Sequence, residues 1–209
     1  THSYFVLDAY RRGAFDRLYD DFFYRRNNEF WKDKAMQKLP ALLDSTGMLA
    51  CGEDLGMIPA TVPQVMDDLR ILSLEIQRMP KSVEETFAHP ANYPYLSVCT
   101  TSTHDMNPIR AWWEEDREVT NDFWHMILGN QGEAPFYCEP WICRQILEQH
   151  VWSPAMLTIL PLQDWLSMDP QLRREDPNTE RINVPANSRH YWRYRMHLTL
   201  EQLAEADEF

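Results

Sequence analysis

Tyr95-Leu96-Ser97-Val98-Cys99-Thr100, Thr101-Ser102-Thr103-His104-Asp105-Met106-Asn107 and Pro108-Ile109-Arg110-Ala111-Trp112-Trp113 follow one another without a gap. The first reads as a short apolar strand and the second as a polar loop. The third reads as a helix with Pro108 at its first position, where a missing N–H costs nothing. The same order recurs on both sides. Met48-Leu49-Ala50-Cys51 enters the turn Gly52-Glu53-Asp54-Leu55-Gly56, and Thr61 is placed to cap a helical run with Val62, Val65, Met66 and Leu69. Leu72 to Arg78 alternates like a strand and leads into a loop with Pro80, Pro90 and Pro94, and Ala155 to Leu160 is a further strand before Pro161. Strand, polar loop, helix, strand is the pattern of βα units in a parallel sheet. Near-continuous apolar strands predict that both sheet faces are covered. The fold class is therefore α/β, either a small open sheet or about half of a (β/α)8 barrel, which needs eight such units.

The remaining segments read as helices and one long loop. Residues 8 to 44 carry apolar side chains at three- and four-residue steps, with Asn27-Asn28 as the expected break and Asn28 as the cap of the second helix. Helices are expected at about 120–128, ended by Gly129, and at about 140–150, opened by Pro140. Residues 167 to 190 are rich in Asp, Pro, Asn and Arg and read as a long ordered loop. Thr199 with Gln202 forms a capping box for a last helix.

Composition narrows the function classes. The chain has 209 residues with 20 Lys plus Arg against 32 Asp plus Glu, a net charge of −12. That balance argues against nucleic acid or an anionic membrane as partner, since both need a concentrated positive field. No apolar run approaches the roughly 20 residues of a membrane span. Cys51 and Cys99 lie in apolar runs and read as buried thiols in a reducing, cytoplasmic compartment. Cys138, Cys143 and His150 have a spacing that zinc could use, but no second ligand pair accompanies them, and two thiols on or near a helix is the favoured reading. No metal or other cofactor is expected; glycine-rich nucleotide-binding motifs do not occur.

Two loops carry candidate chemistry, each placing a carboxylate just after a strand, the edge where α/β proteins bind ligands. Gly52 and Gly56 give the first loop the backbone freedom to project Glu53 into a cleft; the competing reading is a plain acidic turn. The second loop, Thr100 to Pro108, gathers hydroxyls, an imidazole and a carboxylate, a set suited to a polyhydroxylated ligand. Its competing reading is that Asp105 or Asn107 only caps the next helix. Two carboxylates at strand ends meet the usual requirement of glycoside chemistry. One donates a proton to the leaving oxygen, and another stabilises or attacks the oxocarbenium-like centre.

Four motifs in register carry a resemblance: Gly52-Glu53-Asp54-Leu55-Gly56, Ser102-Thr103-His104-Asp105, Pro161-Leu162-Gln163-Asp164 and Arg181-Ile182-Asn183-Val184-Pro185. In this order they resemble the 4-α-glucanotransferases (amylomaltases, or disproportionating enzymes) of the α-amylase clan. Ile76-Gln77-Arg78-Met79-Pro80 and His190-Tyr191-Trp192-Arg193-Tyr194-Arg195 are more similar to the larger, maltose-metabolising branch. The resemblance implies the C-terminal half of a (β/α)8 TIM-type barrel with long helical insertions, residues 1–209 being a single unit of the catalytic domain. It implies retaining transfer of α-1,4-glucan units through a covalent glycosyl-enzyme. Glu53 would be the general acid/base and Asp105 the carboxylate that stabilises the reacting glucose. Asp54, His104 and Asn183 would contact substrate: maltose, a malto-oligosaccharide or a longer α-1,4-glucan. Glu53 and Asp105 are expected to face one sugar-sized hollow. The family's nucleophilic Asp lies in an Arg-x-Asp segment at an earlier strand end, and no such strand-end segment is found here. The chain is therefore expected to be inactive alone, and to self-associate through an open barrel edge. A non-catalytic glucan-binding module and an α-glucan hydrolase of the same clan are the alternatives.

Overall fold

The structure, a computed structural model, describes residues 2–206, so both ends of the expected 1–209 unit lie outside the described residues. The chain divides into two compact units, Thr1–Leu74 and Glu75–Phe209.

The first unit is helical. Helix α1 (His2–Phe5) precedes α2 (Ala9–Asp21), whose N-terminus is capped by the Asp8 carboxylate accepting the Arg11 N–H at 2.8 Å. The expected break at Asn27-Asn28 is absent. A π-helical turn, Phe22–Arg26, carries the chain directly into α3 (Asn27–Asp44). Asn28 is not a cap but a tie. Its amide donates to Tyr24 O, its Oδ1 accepts the Ala60 N–H, and its carbonyl accepts the Thr61 hydroxyl at 3.0 Å. Thr61 is thereby occupied, and it makes no side-chain cap to α4 (Val62–Asp68). Val62, Met66 and Ile71 form the buried cluster here, with Trp31, Leu39 and Leu43 packed against it. The expected strand at 48–51 is reduced to one parallel bridge, Cys51 with Leu72, in which Gly52 N–H reaches Leu72 O at 2.8 Å. Cys51 is exposed rather than buried. Side chains alternate along extended backbone, and it is Gly52 that faces Met66 and Ile71, so Cys51 turns outward.

Strand β1 (Ser73–Ile76) enters the second unit, which continues with β2 (Ser97–Thr100), α5 (Ile109–Trp113), α6 (Arg117–Met126), α7 (Pro140–Val151), β3 (Leu157–Thr158), α8 (Leu162–Leu166) and α9 (Leu200–Ala204). The strand order is β1-β2-β3, and β2 pairs parallel with β3, Val98 opposite Leu157 and Cys99 opposite Thr158. Every residue of β2 is buried, as its apolar run predicts. β3 departs from expectation: it is two residues long, Leu157 is 37% exposed, and among the described residues no strand follows β3 in the order. Helix signals hold well. Pro140 opens α7, Gly129 takes φ +67° after α6, and Thr199 and Gln202 form the reciprocal capping box of α9. Trp113, Phe123, Ile142, Cys143, Ile146 and Leu147 make the core. Cys99 is buried; Cys138 and Cys143 are buried with their sulfurs 3.4 Å apart. His150 Nδ1 is hydrogen-bonded to Ile146 O at 2.8 Å.

Candidate functional site

The loop after β2 is held at both ends by two side chains from elsewhere in the fold. Arg78, just past β1, donates to Thr101 O at 2.7 Å and to Asn107 O at 2.8 Å. Asp164 on α8 accepts the Thr101 hydroxyl on one oxygen, at 2.5 Å, and the Ile109 N–H on the other, at 2.8 Å. The second contact is the N-terminal cap of α5. Neither Asp105 nor Asn107 caps that helix; Asn107 instead gives its amide to Glu115 at 2.8 Å. Asp164 is fully buried, and burial pushes its carboxyl up from the ordinary range. The Thr101 and Ile109 hydrogen bonds and the charge of Arg78 oppose that push.

Clamped in this way, the loop presents His104 and Asp105. Asp105 Oδ1 accepts a 2.6 Å hydrogen bond from Asn183 Nδ2, and Oδ2 lies 3.3 Å from His104 Nε2. Asn183 is only 7% exposed, and its backbone carbonyl accepts Arg181 Nε at 2.8 Å, so the backbone that carries the amide is held where it meets Asp105. Asp105 itself remains about half exposed. The His104 ring lies 5.0 Å from that of Trp192, which is 58% exposed. A cavity of about 270 Å³ opens beside them, lined by Thr103, His104, Ile159 and Ile182 among others. It therefore lies beyond β2 and β3. A carboxylate steered by the Asn183 amide but still open to solvent can accept further hydroxyl protons or face a developing positive charge.

The first unit holds the other candidate loop by itself. Glu53 is exposed, and its Oε1 accepts the Leu55 N–H at 3.0 Å. Gly56 takes φ +78°, a conformation that side-chain-bearing residues rarely adopt. Asp54 points the other way, buried, with Oδ1 accepting the Leu74 N–H at 2.9 Å. Glu53 lies on the wall of an apolar cavity of about 310 Å³ that also includes Trp31, Leu39 and Met66. Asp105, His104 and Asn183 are thus brought together in one unit, while Glu53 and Asp54 occupy one turn of the other. Arg78, Asp164 and Trp192 were not singled out from residue types, although each falls in a segment that carries the resemblance. Among the described residues no group of His, Cys, Asp and Glu gathers as a metal site.

A carboxylate, hydroxyls and an imidazole on a loop that follows a strand of a parallel sheet are the arrangement of a ligand-binding α/β protein. The chain belongs to the 4-alpha-glucanotransferase family (glycoside hydrolase 77), whose model matches residues 2–200. It is 42% identical over 205 residues to the 4-alpha-glucanotransferase DPE2 of Oryza sativa subsp. japonica, covering 98% of this chain and 22% of that protein. It is 29% identical over 203 residues to the 4-alpha-glucanotransferase of Chlamydia muridarum, covering 95% of this chain and 38% of that one. Among solved structures, the amylomaltase from Streptococcus agalactiae in complex with acarbose matches with a TM-score of 0.57 at 20% identity. That match covers 79% of this chain and 31% of the amylomaltase. The sheet and helices are accordingly those of a partial α/β barrel. The chain spans less than two fifths of the length of these relatives.

Proposed function

We propose that this chain forms part of a retaining 4-α-glucanotransferase, acting in the cytoplasm. It would move α-1,4-glucosyl or glucanosyl units from maltose or malto-oligosaccharides to acceptors such as glycogen or starch glucans. The observation that carries the reading is the Asp105 carboxylate, oriented by Asn183 with His104 3.3 Å away, beside an open cavity after β2. In this reading Asp105 accepts hydroxyls of the reacting glucose and faces the positive charge that grows at its anomeric carbon. His104 donates to the same sugar. Asn183 keeps one oxygen of Asp105 satisfied, so the other lone pairs stay aimed at substrate. Glu53 protonates the departing glycosidic oxygen and then takes the proton of the acceptor hydroxyl. Asp54, engaged with the Leu74 N–H, keeps the Glu53 turn in place. The acarbose held by the streptococcal amylomaltase supports a malto-oligosaccharide-like ligand.

The covalent intermediate needs a third carboxylate as nucleophile, so alone the chain is expected to release no glucose from maltose and glycogen. The test places it in a complete family barrel that supplies an Arg-x-Asp strand end. Maltose with glycogen then releases glucose, and Glu53→Gln lowers the rate by about 10²–10⁴, the usual weight of a general acid/base. Release that is indifferent to Glu53→Gln, or that proceeds equally without an acceptor glucan, overturns the reading.

A further inference from the structure

A second cavity, of about 360 Å³, is not used by the transfer chemistry. Arg174, Arg181, Arg193 and Arg195 line it with Tyr191 and Tyr194, and its lining contains no Asp or Glu. This is unexpected in a chain with 32 acidic residues against 20 basic ones. None of the four guanidinium groups forms an ion pair with a carboxylate among the described residues; the buried Glu180 lies instead 3.8 Å from Arg110. Their hydrogen bonds and ring contacts are to neutral groups, although the charge of Arg174 also reaches Glu180 outside the lining. Arg174 donates to Arg195 O at 2.6 Å and lies over the Tyr194 ring at 5.8 Å, while its Nε is buried with no partner. Arg193 lies over the Tyr191 ring at 5.3 Å, and Arg181 donates to Asn183 O. Four like charges around one hollow repel each other, and an anion placed among them reverses the sign of that energy.

We propose that this cavity is a binding site for a phosphate monoester borne by a sugar. The guanidinium fork matches pairs of phosphate oxygens. The faces of Tyr191 and Tyr194 suit the attached sugar ring. Ile182 lines both this cavity and the one beside Asp105, so a phosphorylated glucan seated here runs on towards that site. The site needs neither Glu53 nor Asp105 and stands apart from the transfer reading.

Isothermal titration calorimetry on the purified protein tests it, with glucose 6-phosphate, a malto-oligosaccharide carrying one 6-phosphate, and neutral maltose as ligands. Glucose 6-phosphate saturates, and Arg193→Gln with Arg195→Gln weakens its binding about tenfold or more while leaving any heat from maltose, which belongs to the site beside Asp105, unchanged. Tighter binding of the phosphorylated oligosaccharide identifies the glucan as the source of the phosphate; equal binding identifies the small sugar phosphate. Arg193→Gln alone, at an exposed residue, retains the fold and still weakens binding if the larger change unfolds the protein. Glu53→Gln leaves the affinity unchanged, so this site and the proposed acid/base role fail separately. Absence of saturation by either phosphorylated sugar, or an affinity unmoved by both arginine variants, overturns the proposal.

Discussion

Asn183 donates a 2.6 Å hydrogen bond to Asp105 across 78 residues of chain, and its own carbonyl is held by Arg181. Because Asn183 is buried and Asp105 is half open, the bond orients the carboxylate without covering it. Asn183→Ala removes one charge-assisted hydrogen bond, worth about 1.5–3 kcal/mol. In a complete family barrel, kcat/KM for maltose is therefore expected to fall about ten- to a hundredfold. Circular dichroism should remain that of the unsubstituted protein. Steady-state glucose release measures the first; a variant of full activity would show that Asp105 does not need this partner.

Asp164 acts on the same loop from beneath. It satisfies Thr101 and the first helical N–H of α5 at once, so Asp164→Ala strands a buried hydroxyl and a buried N–H. Each stranded group costs about 1–3 kcal/mol. For a protein of this size the melting temperature should fall by several degrees, at about 2–4 °C per kcal/mol. Asp164→Asn, which keeps the shape and one acceptor, should lose less. Thermal unfolding of the two variants side by side checks the ranking, and equal melting temperatures would be inconsistent with the clamp.

Local signals made the strand–loop–helix run at 95–113 legible, because a short apolar run, hydroxyl-rich turn residues and Pro108 all act within a few positions of each other. Pro140, Gly129 and the Thr199–Gln202 box were readable for the same reason. What stayed hidden lies in long-range pairing. The cap of α5 comes from Asp164, 55 residues downstream, and nothing local to Asn107 excludes it as the cap. Thr61 has the composition of a cap and spends its hydroxyl on Asn28, 33 residues back. Cys51 shows the same limit for burial: an apolar run says that a strand is half buried, and its register against Leu72 decides which half.

The last strand in the order is short, and Leu157 on it and Ile159 just after it are exposed. Unpaired strand backbone with apolar side chains is a template for a second chain. Light scattering of the protein by itself should give a mass above the monomer that rises with concentration. Leu157→Lys should lower it, since a charge on the edge opposes pairing. A strictly monomeric species at high concentration would count against association through this edge.

Two buried titratable groups give the second unit opposite pH dependences. Burial pushes Glu180 up to about 7 against the pull of Arg110, while burial lowers His150 to about 4. Glu180 is neutral in the fold at a pH where the unfolded carboxyl, near 4.5, has ionised, so its contribution is complete below 4.5 and is lost as pH rises through 7. His150 works in the reverse sense. The unfolded imidazole takes up a proton near 6.5 that the fold refuses, so its contribution is complete above 6.5 and is lost as pH falls through 4. Each shift corresponds to about 3 kcal/mol, and between 4.5 and 6.5 the two slopes oppose each other. Glu180→Gln removes only the first. Urea unfolding at pH 5 and pH 7.5 should therefore show the variant gaining stability relative to the unsubstituted protein as pH rises. Parallel pH profiles would mean that Glu180 is already ionised in the folded chain, held there by Arg110 and the other charges around it.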